Sequence, residues 1–98
     1  MFQLTVEKSA KELLDAHFSE NDRPEFIRLY VRPRKSSRGS CLALKPDVKG
    51  ERDLVLEEGG YSFLLSRHLA EQIGRWAKIS DNGKGGFEVS SEKTFNYV

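Results

Sequence analysis

A run of strict alternation, cut short by a proline, constrains this chain more than any other feature. Within FIRLYVRPRKSSRGSCLAL, residues 26–44, Ile27, Leu29 and Val31 alternate with Arg28, Tyr30 and Arg32. A period of two places one set in a core and the other toward water, which is the mark of a half-buried β-strand. Pro33 stops the pattern, because it has no N–H to give to a sheet ladder. The polar run Arg34-Lys35-Ser36-Ser37-Arg38-Gly39 follows. A second strand resumes at Ser40, with Leu42 and Leu44 on one face and Cys41 and Ala43 on the other. A loop held between two strands sits on a rigid frame, so residues 32–41 are the first place to look for function.

The remaining composition sets limits around that frame. With 98 residues, the expectation is one domain, 1–98, able to bury a modest core. No apolar run is long enough for a transmembrane helix, so no membrane partner is expected. The opening MFQLTVEKSAKEL lacks the basic and apolar regions of a signal peptide. Cys41 is the only cysteine, which precludes an internal disulfide and fits a cytoplasmic location. Charge is uneven. Positions 23, 28, 32, 34, 35, 38 and 45 are basic and Glu25 is the one acid between Arg23 and Lys45, so this stretch carries +6 in a chain whose net charge is +1. Such asymmetry suits an anionic partner, and equally a solvated loop with ordinary ion pairs.

In chain order, Phe2, Leu4 and Val6 alternate as an opening strand. Ala10, Leu13, Leu14, His17 and Phe18 then form one helical stripe, with Ser9 and Glu12 as a capping box or Thr5 as an earlier cap. His17 reads as a boundary histidine, and Pro24 forbids any continuation of the helix. After a polar connection from Lys45 to Asp53, a strand over 54–57 and another from Tyr61 flank Glu58-Gly59-Gly60, a turn whose glycines supply positive φ. Tyr61, Phe63 and Leu65 should face one way, Ser62 and Leu64 the other. Ser66 caps a short helix ending at Gly74, in which His68 is exposed. Strands from Trp76 and from Phe87 flank the turn 81–86, whose glycines lack the Lys-Ser/Thr pair and following helix of a phosphate loop. The order is β-α-β-β-β-β-α-β-β, with hairpin-length connections and therefore mostly antiparallel pairing. The expected core is Ile27, Leu29, Val31, Leu42, Leu44, Phe63, Leu65, Ile79, Phe87 and Val89, capped by Leu13, Leu14 and Phe18.

This order, with FQLT before an amphipathic helix, IRLYV returning as LAL, DLVLEEGGYSFLL and AKISDNGKGGFEVSS, resembles the HesB/IscA family of A-type iron–sulfur carriers over nearly the whole chain. The resemblance implies a mainly β α+β fold, a flattened barrel of two small mixed or antiparallel sheets with about seven strands and two short helices. The family's chemistry rests on three cysteines, one in the loop after the IRLYV-like strand and two in a Cys-Gly-Cys element of the tail. Here Ser36 or Ser37 stands at the loop position, and the tail ends Phe95-Asn96-Tyr97-Val98. A serine hydroxyl stays protonated and hard at neutral pH, a poor substitute for the thiolate that iron–sulfur clusters take. Cys41 lies after the loop and is a weak metal candidate.

Three readings follow. The first is a HesB-like domain with no cofactor that binds neither iron nor a cluster and serves as a protein-interaction or regulatory module, monomeric or weakly dimeric. The second is binding of nucleic acid or another polyanion through the basic loop 32–38, with Arg32, Arg34, Lys35 and Arg38 as contacts and Arg28 beside them. The third keeps a carrier role by sharing Cys41 across a dimer. No nucleophile–base pair or carboxylate pair marks an enzyme, so none is expected.

Overall fold

The computed structural model describes residues 2–18, 22–33 and 40–93. Its elements follow the expected order: β1 (Gln3–Val6), α1 (Lys8–His17), β2 (Ile27–Pro33), β3 (Ser40–Pro46), β4 (Asp53–Glu58), β5 (Tyr61–Ser66), α2 (Arg67–Ile73), β6 (Trp76–Asp81) and β7 (Phe87–Ser91). The strands form a mixed sheet in the order β1-β6-β7-β3-β2-β5-β4. Edge strands β1 and β4 come back into contact, so the sheet nearly closes into a barrel. The two small sheets expected from the sequence are its two halves. They meet at one register pair, Leu42 of β3 opposite Val89 of β7. β1–β6 and β2–β5 pair in parallel and the other pairs are antiparallel, three of them, β2–β3, β4–β5 and β6–β7, joined by hairpin-length connections.

The inner face follows the alternation. Ile27, Leu29, Leu42, Phe63, Leu65 and Ile79 are buried together, with Val31, Leu44, Phe87 and Val89 packed against them. α1 contributes Ala10 and Leu14, and Phe18 packs at the margin. The core is wider than the sequence suggested, taking in Leu4, Tyr61, Leu69, Ile73 and Ala77. The Gly59-Gly60 turn joins β4 to β5 with φ of 63° and 84°, so both central residues take the positive φ of a type I′ hairpin.

Two details differ from expectation, and a third adds to it. Neither Ser9 nor Thr5 caps α1. The Glu7 N–H still donates to the Ile79 carbonyl as an extension of the β1–β6 ladder, so the helix opens at Lys8 with no side-chain cap and Ser9 already falls inside it. α1 also ends at His17, well before Pro24, with the Phe18 N–H bonded to the Leu14 carbonyl. Leu64 faces away from Phe63 and Leu65, as the alternation set it, and is fully buried as well. It sits on an interior strand between Arg28 of β2 and Val55 of β4, its two opposite residues on the outer face.

α2 behaves as read. The Ser66 hydroxyl accepts from the Leu69 N–H at 3.1 Å, and His68 is exposed. Gly74 closes the helix at φ 98° and ψ −147°, a conformation glycine tolerates but one outside the left-handed helical region.

Candidate functional site

β2 and β3 pair continuously from Ile27 opposite Pro46 to Pro33 opposite Ser40. The ladder holds the ends of the 34–39 connection in fixed register. Ser36, Ser37, Arg34, Lys35 and Arg38 lie outside the described residues, as do Phe95 and Tyr97 of the tail. What the structure describes is the frame beneath that loop.

Outward residues of the frame share one face because residues opposite each other in a ladder point the same way. They are Arg28, Tyr30 and Arg32 from β2, with Lys45, Ala43 and Cys41 opposite them on β3. Cys41 is a free, half-buried thiol directly across from Arg32, on the face opposite to buried Leu42, where alternation placed it. Arg32 is exposed. The Lys45 ammonium lies 4.8 Å from the centre of the Tyr30 ring, a cation–π contact at the far end of the same face.

Arg28 plays a different part from the one the sequence suggested. Its guanidinium grips Asp53 through two bonds, Nη1 to Oδ1 at 2.7 Å and Nη2 to Oδ2 at 2.6 Å, while Nε donates to Asp47 Oδ2 at 2.6 Å and Nη2 also reaches the Val48 carbonyl. The Asp53 side chain is only 5% exposed and also accepts the Gly50 N–H at 2.7 Å. Bonding to Arg28 is the main cause that holds the Asp53 carboxyl down at about 2, against the opposing effect of burial. The same bonding pushes the Arg28 guanidinium further above its already high range. Asp47 is lowered as well, first by the Val48 N–H and then by Arg28. Arg28 therefore clamps the β3–β4 connection onto β2 and is not free for a polyanion.

Arg23, another of the clustered cations, is also engaged. It stacks 4.2 Å over the Tyr61 ring, donates to the Gly60 carbonyl and approaches Asp15 at 3.5 Å. The Tyr61 hydroxyl donates to Asp15 Oδ1 at 2.8 Å. This bond, followed by the one from Lys11, lowers the Asp15 carboxyl, while burial and then Asp15 itself raise the Tyr61 phenol. The cluster staples α1 to the β4–β5 hairpin. Two of the seven cations between positions 23 and 45 thus serve the fold, and the anions that hold them, Asp15, Asp47 and Asp53, all fall outside the basic stretch. Only the strand register brings Asp47 and Asp53 to Arg28. The one cue in the sequence is a pair of aspartates bracketing the turn glycine Gly50.

Among the described residues, no group of three His, Cys, Asp or Glu side chains is placed to hold a metal ion. His17 and His68 are both exposed, on separate helices. No helix of the described residues is long and apolar enough to cross a membrane.

Comparison with known proteins places this frame in context. No protein-family model matches the sequence, and no curated protein matches it. Solved structures do. The crystal structure of IscA with the 2Fe–2S cluster aligns with a TM-score of 0.67 over 97% of this chain and 98% of its own, at 16% identity. Escherichia coli SufA, involved in biosynthesis of iron–sulfur clusters, aligns with a TM-score of 0.65 over 98% of this chain and 86% of its own, also at 16% identity. The solution structure of a protein from Aquifex aeolicus gives 0.66 at 24% identity over 93% of both chains. The fold of this chain is an IscA/HesB-like fold, as the order of its sequence elements implied.

Proposed function

We propose that this chain is a cluster-free domain of the IscA-like fold, acting in the cytoplasm as a protein-interaction or regulatory module alongside iron–sulfur cluster assembly, and that it binds rather than catalyses. The observation that carries this reading is a ligand count set against a retained fold. The architecture of IscA and SufA extends over nearly the whole chain, yet the chain has one thiol. That thiol projects from strand β3 and not from the loop after β2. Clusters of this kind are held by about four cysteine-type ligands, and a symmetric dimer would bring two. With the cargo site reduced, the outer face of β2 and β3 remains as a surface for a partner.

Anaerobic reconstitution with iron and sulfide, then desalting, iron assay and absorption spectroscopy, tests the reading. The expected result is no stable charge-transfer band and only traces of iron. Near-stoichiometric iron with visible bands, lost in Cys41→Ala, would overturn it in favour of a carrier sharing Cys41 across a dimer. In-cell photo-cross-linking from position 43 on the outer face is expected to capture iron–sulfur assembly proteins. If it captures none, the interaction role is refuted.

A second reading, polyanion binding, is favoured by one observation. Arg32 is exposed on the outer face with no ion-pair partner among the described residues, directly before the loop that carries Arg34, Lys35 and Arg38. It ranks second because Arg28, one of the cations it would recruit, is held internally.

A further inference from the structure

The outer face of β2 and β3 carries two cations that the fold does not use. Lys45 sits opposite Arg28, near the start of β2, and Arg32 sits opposite Cys41, near its end. Both are exposed, and neither forms an ion pair among the described residues. The Lys45 ammonium lies 4.8 Å from the centre of the Tyr30 ring, a contact that leaves N–H groups open to an anion. Between the two cations lies Ala43, the smallest side chain on the face, with Tyr30 opposite it. In the sequence Arg32 runs straight into 33–39, which adds Arg34, Lys35 and Arg38 and no acid.

The acids near this face are either engaged or set at its border. Asp47 accepts from Arg28 and from the Val48 N–H, and Asp53 is held by Arg28. On β7, the inner pairing of Val89 with Leu42 turns Glu88 outward, one strand beyond β3, where it is exposed. The face is therefore a basic strip along β2 and β3 with an acid on its β7 side. It offers nucleic-acid bases little to stack on. Tyr30 is the one aromatic side chain that the β2–β3 ladder turns outward, and Lys45 covers its ring.

We propose that this strip docks an acidic, extended segment of a protein partner, laid along β2 and β3 with carboxylates meeting Lys45 and Arg32 and its backbone passing over Ala43. The proposal rests on the protein-interaction reading and names the chemistry of the partner. Complementary charge across an interface steers the encounter and fixes its register. In an extended segment alternate side chains share a face, so carboxylates at every second position all reach the strip. Arg32 offers a planar fork that matches a carboxylate, and Lys45 offers a compact point charge. Glu88 repels an acidic segment that strays toward β7 and so keeps it on β2 and β3.

The test is an amide NMR titration of the full chain at low salt with the peptide acetyl-SESESES-amide, with its isomer acetyl-SSEEESS-amide, and with a thymidine tetranucleotide of the same charge. Saturable shifts are expected at residues 28–32 and 41–45, with the alternating peptide the tightest ligand. Arg32→Gln and Lys45→Gln should each weaken it by about two- to five-fold, the effect of one exposed ion pair, and Glu88→Gln should tighten it. All three positions are exposed, so these changes spare the fold. Absence of saturable shifts at millimolar peptide overturns the proposal, as does equal affinity for the isomer or unchanged affinity in both Arg32→Gln and Lys45→Gln. A tetranucleotide that binds as tightly as the alternating peptide also overturns it, in favour of the polyanion reading. Cross-linking from position 43 separates this proposal from the reading beneath it. Partners captured there without peptide binding overturn the proposal and leave the interaction reading standing, and peptide binding without captured partners does the reverse.

Discussion

Replacing Arg28 with Met tests the account of the outer face most sharply. The change keeps an apolar stem opposite Leu64 and removes every donor. Asp53, whose side chain is 5% exposed, then keeps the Gly50 N–H as its described partner. Breaking a buried pair by deleting one partner costs about 3–5 kcal/mol, because the remaining charge is left uncompensated. Arg28 is 18% exposed and Asp47 32% exposed, so the Asp47 bond resembles a surface pair worth at most about 1 kcal/mol. The expected loss at pH 7 is therefore near the lower bound, about 3 kcal/mol, a large part of a typical stability of about 5–15 kcal/mol. The pH dependence separates this cause from lost packing. The Asp53 carboxyl titrates at about 2 in the folded state, below its ordinary value of 3.8. A depressed carboxylate contributes stability that is fully present above its unfolded value and is lost as pH falls through its folded one. At about 1.4 kcal/mol per unit, the wild type should lose about 2 kcal/mol between pH 4 and pH 2 from this group. In Arg28→Met the pairing is gone and burial raises Asp53, so the gap between the two proteins should narrow to about 1 kcal/mol over the same window. Urea unfolding followed by far-UV circular dichroism at pH 7, 4, 3 and 2 measures both quantities. A loss below about 1 kcal/mol at pH 7, or a gap that does not change with pH, would refute the clamp.

Three further outcomes can be checked with the same preparations. Leu29 is buried on the inner face of β2, so Leu29→Ala should cost about 2–5 kcal/mol in chemical unfolding. Gly74→Ala should cost about 3 kcal/mol, combining the positive φ with a new Cβ that would lie 2.8 Å from the Glu92 Cβ. Glu92 cannot readily move aside, because its carboxylate accepts the Arg75 N–H at 2.7 Å and pairs with the Arg75 guanidinium; a change under 1 kcal/mol by thermal melting would show that it does. For the polyanion reading, heparin retention at low salt should be weak and should fall in Arg32→Glu; retention unchanged by that substitution would remove Arg32 from the reading.

Much of the fold was legible because period-two and helical patterns are local. Ile27, Leu29 and Val31, or Leu42 and Leu44, announce a face without any knowledge of what covers it. Ser66 and the Gly59-Gly60 turn are equally local, since each satisfies its own backbone geometry. The elements read wrongly are those decided by neighbours distant in sequence. Leu64 alternates as an outward residue, and that alternation alone does not announce that an interior strand position between β2 and β4 is buried. Ser9 fits a capping box until the β1–β6 ladder shifts the helix start to Lys8. The site divides in the same way. The face shared by Arg32 and Cys41 followed from alternation, whereas the capture of Arg28 by Asp47 and Asp53 depends on a register that no local pattern encodes.

That division explains how an IscA-like fold can carry a loop without its cysteine. The β2–β3 ladder spans seven register pairs, from Ile27–Pro46 to Pro33–Ser40. Its inner residues are fixed by the core, and its far end is fixed by the Arg28 clamp, about five strand residues from the loop at roughly 3.4 Å each. These contacts are made by described residues on either side of 34–39. Serine at 36 or 37 in place of a thiol changes what that loop can ligate, because a hydroxyl is a hard, protonated donor. The outer face of β2 and β3 that borders this loop carries Tyr30, Arg32, Cys41, Ala43 and Lys45.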